Sequence, residues 1–276
     1  MNVTPVILTY NEEPNIGATL SSLSWAARVV VVDSGSSDRT AEIARSFGNV
    51  AWFVRQFDSH KAQWLHAVHQ TSIDTGYVLA LDADMRPGPG FRDELAAFTD
   101  QSDQAAIVPF EYRIHGRPLL GSIYPAQVRV FRREDILIEQ RGHTQVFSAT
   151  GPLYRFRSKL IHEDHKPFGR WLTNQLKYAS LEAERIRNAP TKALIDRLRW
   201  AGVSPAIWGG YAYLRAGGPF KEPSSRAYAE ERMVFEALLA RLLADSEPRR
   251  SAALPSDGDL DAGTLRQTSI IDHSPC

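Results

Sequence analysis

Cysteine is almost missing from this chain. One Cys, Cys276, stands among 276 residues. No disulfide can form within the chain, so a small secreted scaffold is excluded and a reducing, cytoplasmic setting is expected. Long apolar runs are missing too. No uncharged stretch reaches the ~20 residues that a bilayer-spanning helix needs. Met1-Asn2-Val3-Thr4-Pro5 has no basic region leading into an apolar core, so no secretory signal is expected. There is no excess of charge of either sign. Lys and Arg number 32, as do Asp and Glu, which removes the global electrostatic case for a nucleic-acid partner. No Gly-x-Gly-x-x-Gly follows the first apolar run, which disfavours a dinucleotide oxidoreductase. No internal repeat is visible. What remains is an ordinary globular balance, 43% hydrophobic and 23% charged. The length suits one large α/β domain, or one domain with an appendage.

Short apolar or β-branched runs at 6–10, 29–33, 51–54, 77–81 and 106–110 read as strands. Helical spacing appears at 16–23, 38–47, 60–73 and 91–98, with Asp38 a candidate N-cap. This alternation predicts a mostly parallel sheet with helices on its faces. Val128-Arg129-Val130-Phe131-Arg132-Arg133 then alternates apolar and basic, which predicts a half-exposed strand. Strands and loops are expected over 140–157, and helices from about 171 to 187, 192 to 200 and 228 to 243. From Asp245 onward Ser, Pro and Asp dominate, as in a flexible tail. The aromatic-basic segment from Lys192 to Lys221 has two readings. It is either an interfacial patch for peripheral membrane contact or a helical subdomain packed on the rest of the chain.

The informative stretch is Tyr77-Val78-Leu79-Ala80-Leu81-Asp82-Ala83-Asp84-Met85. An apolar strand stops at two carboxylates, and the carboxyl end of a strand is where an open α/β sheet places ligands. Asp82 and Asp84 offer hard oxygen ligands suited to Mg²⁺ or Mn²⁺. The plain alternative is two Asp opening a turn before Pro87-Gly88-Pro89-Gly90. Two more strand-end motifs accompany it, Thr9-Tyr10-Asn11-Glu12-Glu13 and Asp33-Ser34-Gly35-Ser36-Ser37-Asp38. Together, in this order, the three resemble the inverting family 2 glycosyltransferases of GT-A fold. Residues 126–243 are more loosely similar to the lipopolysaccharide core glucosyltransferase branch, through Gly142-His143, a later His before a helix, and the aromatic-basic region.

The resemblance implies a nucleotide-diphospho-sugar transferase fold at 1–165, with a nucleotide-sugar half at 1–100 and an acceptor half at 101–165. A helical extension at 166–244 and a tail at 245–276 complete it. It implies a hexosyltransferase of cell-envelope polysaccharide synthesis, with a UDP-linked donor and a glycan or lipid-linked acceptor. The matching positions put Thr9, Tyr10 and Glu12 in the nucleoside pocket and Asp33 on the base. Asp82 falls on ribose or metal, Asp84 on the metal, and Lys61 and Gln63 near the diphosphate. An inverting transferase needs a general base at the acceptor hydroxyl. Leu160-Ile161-His162-Glu163-Asp164-His165 is the candidate cluster. Asp164 is the favoured base, Glu163 its alternate, and His162 a further metal ligand. One departure stands out. The similar branch has Gly-x-x-His-Glu where this chain has Gly142-His143-Thr144-Gln145, and Gln cannot act as a base. A catalytically degenerate sugar-binding or scaffold protein therefore stays open. A sugar-phosphate nucleotidyltransferase is less favoured, because Leu8-Thr9-Tyr10-Asn11-Glu12 lacks a Gly-rich basic loop.

Overall fold

The computed structural model describes residues 1–101, 104–141, 144–189 and 193–245. Gly142-His143, Lys192 and the tail expected after Asp245 lie outside the described residues. The chain opens with β1 (Val3–Thr9), α1 (Ile16–Ser22), β2 (Val29–Asp33), α2 (Thr40–Arg45), β3 (Val50–Val54), α3 (His60–His69) and β4 (Tyr77–Asp82). It continues through β5 (Met85–Pro87), α4 (Phe91–Gln101), β6 (Ala105–Val108), β7 (Phe110–Ile114), β8 (Arg117–Pro118) and β9 (Gln127–Arg132). Then follow β10 (Ile136–Arg141), β11 (Thr144–Ala149), β12 (Leu153–Arg155) and β13 (Leu160–His162). Four helices end the described chain: α5 (Phe168–Asn188), α6 (Leu194–Trp200), α7 (Ser204–Ala216) and α8 (Ser224–Ala244).

The main sheet runs in the order β12-β6-β9-β4-β1-β2-β3. Strands β1 to β4 are mutually parallel, and β9 is antiparallel between β4 and β6. Strand periodicity sends alternate residues to opposite faces. Ile7, Val29, Val31, Leu79 and Leu81 meet Ile16, Leu20, Phe91 and Leu95 of α1 and α4 on one face. Val6, Val30, Val32, Val78 and Ala80 meet Trp64, Ala67 and Val68 of α3 on the other. This two-sided burial is why β2 reads as an unbroken apolar run. Each large side chain so buried contributes about 1.5–3 kcal/mol.

Strand β9 differs from expectation. Arg129 lies inside, 3% exposed, with Val128, Val130 and Phe131 also buried. The basic alternation looked solvated because sequence does not show the distant carboxylate, Asp82, that receives Arg129. Helix α2 begins at Thr40, with Asp38 Oδ1 accepting the Thr40 amide at 3.0 Å.

A second sheet, β5-β13-β7-β8, stands at the end of β4. After Asp82 the chain turns through Ala83-Asp84 into β5, which pairs antiparallel with β13 and sets Met85 opposite His162. On the other side β13 runs parallel to β7, with His162 opposite Tyr112. This small sheet brings the 160s of the chain to the carboxyl end of β4. Helices α5 and α8 close a separate apolar cluster, with Ala179, Ala183, Phe235 and Leu239 inside. Gly209 allows α7 to approach α8, since a Cβ there would fall 2.2 Å from Met233 Cγ.

Candidate active site

Register aligns the three strand-end motifs. Asp33 is opposite Thr9, and Asp82 is opposite Leu8. The loops beyond them are stitched together. Asn11 adopts φ 53°, and its Oδ1 accepts the Ser37 amide at 2.7 Å. The Glu12 amide donates to Thr40 Oγ1 at 2.7 Å. Asp33 is buried and holds its own turn, accepting from the Gly35 and Ser36 amides at 2.9 and 2.8 Å and from Ser36 Oγ at 2.5 Å. Thr9 Oγ1 is buried without a hydrogen-bond partner. Tyr10 is exposed beside it on the loop.

A group of carboxylates surrounds one ammonium. Lys166, 8% exposed, places Nζ 2.9 Å from both oxygens of Glu12, 3.0 Å from Asp164 Oδ1 and 3.9 Å from Asp84 Oδ2. Asn15 Nδ2 bridges Glu12 and Asp164 at 2.8 and 2.9 Å. Its Oδ1 accepts the His165 amide at 2.9 Å. Burial opposes charge on Lys166, yet Asp84, Glu12 and Asp164 hold it well above the ordinary lysine range. Burial likewise pushes Asp164 up, but the ammonium and the bonds from Asn15 and Lys166 bring it below the ordinary carboxylate range. For Glu12 burial wins, and its carboxyl is raised.

Asp84 sits against His162, with Oδ1 3.6 Å from Nε2. That oxygen is buried and has no hydrogen-bond partner, although a buried polar atom normally has one. An unpartnered carboxylate oxygen facing an imidazole nitrogen fits a divalent cation completed by phosphate oxygens. Asp82 turns elsewhere, to Arg129 Nη2 at 3.3 Å. Among the described residues, no three His, Cys, Asp or Glu side chains converge to hold a metal alone.

The neighbours Glu163 and Asp164 face apart, as adjacent residues of an extended segment do. Glu163 accepts Arg86 Nη2 at 2.5 Å and the Gly116 amide at 2.8 Å. Burial would raise its carboxyl, but Arg86 outweighs this and lowers it. Gln63 is buried and fully engaged. Its Nε2 donates to Ser34 Oγ and the Arg55 carbonyl, and its Oε1 accepts from Arg55. Lys61 is exposed on α3, with its amide on Gln140 Oε1. Gln145 lies opposite Gln140 in the β10–β11 hairpin.

Several residues here escaped the sequence reading. Lys166 and Asn15 carried no motif, although Lys166 stands two places after Asp164. Arg129 was read as surface. On α8, burial, with the nearby Asp164 charge, pushes Glu231 up to about 7. Tyr112 packs its ring 4.6 Å from that of His162.

Comparison with known proteins supplies the family. The model of the family described as glycosyl transferase family 2 matches residues 4–159. A lipopolysaccharide core biosynthesis glycosyltransferase, LpsC of Rhizobium meliloti, is 27% identical over an alignment of 200 residues, with 65% of this chain and 69% of that protein covered. Among solved structures, S. aureus TarS residues 1–349 with UDP-GlcNAc is 15% identical with TM-score 0.47, covering 89% of this chain and 91% of that one. Glucosyl-3-phosphoglycerate synthase of Mycobacterium tuberculosis, with Mn²⁺, UDP and glucosyl-3-phosphoglycerate, is 16% identical with TM-score 0.43, covering 70% and 81%. The family match takes in the parallel sheet and every strand-end motif, and so the chain belongs to glycosyl transferase family 2, with the GT-A fold and the glycosyltransferase activity on nucleotide sugars that define it.

Proposed function

We propose that this glycosyltransferase is metal-dependent and inverting, and moves a hexose from a UDP-linked donor to a hydroxyl of a cell-envelope glycan or glycolipid. The observation that carries the reading is the unpartnered Asp84 oxygen facing His162 beside the Glu12, Asp164 and Lys166 group. The name of the LpsC relative, which refers to lipopolysaccharide core biosynthesis, supports an envelope acceptor. Asp84 and His162 would hold Mg²⁺ or Mn²⁺, with Asp82 reaching metal or ribose. The cation would act as a Lewis acid on the diphosphate leaving group. Thr9, Tyr10, Glu12 and Asp33 line the nucleoside end in this reading, and Lys61 and Gln63 stand near the diphosphate.

Asp164 is the base of choice, because it faces the cluster whereas Glu163 is committed to Arg86. In the free enzyme Lys166 neutralises Asp164. A diphosphate offers that ammonium a stronger anionic partner, and movement toward it restores basicity to Asp164. A thermal-shift screen of nucleotide sugars with Mn²⁺ and with EDTA tests the reading. At 100 times its Kd a ligand stabilises by about 2.7 kcal/mol, so a UDP-sugar should shift the melt in Mn²⁺ and not in EDTA. Equal shifts in both would refute metal dependence, and the absence of any shift would refute the donor site.

A further inference from the structure

Among the described residues, nothing covers the outer face of α7. Val203, Ile207, Tyr211 and Leu214 recur along one stripe, and Leu214 is 71% exposed. The opposite face, with Gly209, Ala212 and Ala216, is buried. The stripe continues past the helix end. The 3₁₀ turn Gly218–Lys221 holds Phe220 at 88% exposure. Leu120, also exposed, is fixed there by its amide, which donates to the Ala216 carbonyl at 3.0 Å. A contiguous exposed apolar patch marks an interaction surface.

Charge selects the occupant. From Arg197 to Lys221 the sequence has four cations and no Asp or Glu. Arg199 is buried against Glu236, which leaves Arg197, Arg215 and Lys221, the last two at the Phe220 end of the stripe. The next acid, Glu222, is held by Arg226 at 3.8 Å. A second copy of the chain across a two-fold axis would meet the same face, and the 197–221 segment offers no acid to receive its cations. An anionic lipid surface offers both the apolar layer and the phosphates. No helix among the described residues is long and apolar enough to cross a membrane, so the face would lie on the surface.

The patch also leads to the reaction site. The Ile123 amide donates to the Tyr228 hydroxyl at 3.1 Å. The Tyr124 ring stacks on Tyr112 at 5.4 Å, and Tyr112 lies against His162. The segment that begins at Leu120 in the patch thus ends in an aromatic path to the Asp84 side.

We propose that the outer face of α7, with Phe220 and Leu120, docks on an anionic bilayer, with Arg215 and Lys221 on headgroup phosphates. The docking stands independently of sugar transfer. Its purpose, delivery of a lipid-linked acceptor along the aromatic path, rests on the transferase reading. The test is co-sedimentation of the full chain with phosphatidylcholine vesicles, with and without phosphatidylglycerol. The full chain should sediment with the anionic vesicles and release at high salt. Phe220→Ser combined with Leu214→Ser should cut binding about tenfold. Both side chains are solvent-exposed, so folding and the donor thermal shift should be unchanged. Failure to sediment, or wild-type binding by the double variant, would overturn the proposal. So would a dimer in solution that the double variant converts to monomer without any vesicle binding. Vesicle binding with no donor-induced shift would leave the docking intact and defeat the proposed donor site alone.

Discussion

Replacing Asp164 by Asn and Glu163 by Gln should separate catalysis from stability at two adjacent positions. In Asp164→Asn the shape is kept and the charge is lost. Asn15 Nδ2, at 2.9 Å, still finds an oxygen. Lys166 keeps both oxygens of Glu12 at 2.9 Å. The fold loses one charge-assisted bond, about 1.5–3 kcal/mol. The reaction loses its base, worth about 10²–10⁴-fold in rate, or ~3–5 kcal/mol of barrier. Glu163→Gln should cost comparable stability without the loss of rate. It leaves Arg86, 22% exposed, without its carboxylate at 2.5 Å. Stranding a buried charge costs about 3–5 kcal/mol, and water still reaching Arg86 trims this to about 2–3. Turnover per folded molecule should be nearly unchanged. Urea unfolding gives the first quantity. Nucleotide release from the UDP-sugar with an acceptor extract, normalised to folded protein, gives the second. Normal turnover by Asp164→Asn would refute the assignment. If Glu163→Gln alone lost turnover, the base would be Glu163, and the opposed orientation of the pair would not govern the chemistry.

Four further outcomes are expected. Asp84→Asn should keep the fold but lose the Mn²⁺-dependent thermal shift and turnover, since an amide is a poor ligand for a hard cation; a retained Mn²⁺ shift would reject the metal position. Lys166→Met leaves Glu12, Asp164 and Asp84 in mutual repulsion, so urea melts should show a loss of about 3–5 kcal/mol at pH 7. That loss should shrink as the carboxylates protonate on acidification, and an equal loss at pH 4 would contradict the electrostatic account. The Glu231 carboxyl is held at about 7 in the fold, against about 4.3 unfolded. Charging it costs native stability as pH rises, so Glu231→Gln should be more stable than the parent at pH 8, with the gap closing toward pH 4. Calorimetry on Asp33→Ala should show UDP affinity weakened by about 1–3 kcal/mol, and unchanged affinity would move the nucleoside pocket elsewhere.

What the sequence made legible was local in origin. The run Val29-Val30-Val31-Val32 declares a strand covered on both faces because each residue alone reports burial. The strand-end acids declare a site because parallel strands bring their carboxyl ends to one edge. What it hid depends on partners far along the chain. Arg129 resembles a surface residue until β9 slots between β4 and β6 and meets Asp82, 47 positions away. The β5–β13 ladder, joining Met85 to His162, brings Asp84 and His162 together, and no periodicity announces a pairing over such a distance.

Lys166 is the sharpest case. A lysine two residues beyond an acidic loop is ordinarily solvated, because a free ammonium loses much by burial. It is buried here because the β13–α5 connection folds over the β1–α1 loop and meets Glu12, 154 positions earlier. Its three acidic partners come from three separate loops, so no one of them could have predicted it. The proposed assignment of Asp164 bears on the question left by Gln145. A base need not lie on the β10–β11 hairpin when Asp164 already stands within 3.0 Å of the ammonium that also approaches Asp84. A glutamine there removes a carboxylate from the hairpin, and in the proposed reading the carboxylates of the β1, β4 and β13 ends carry the reaction.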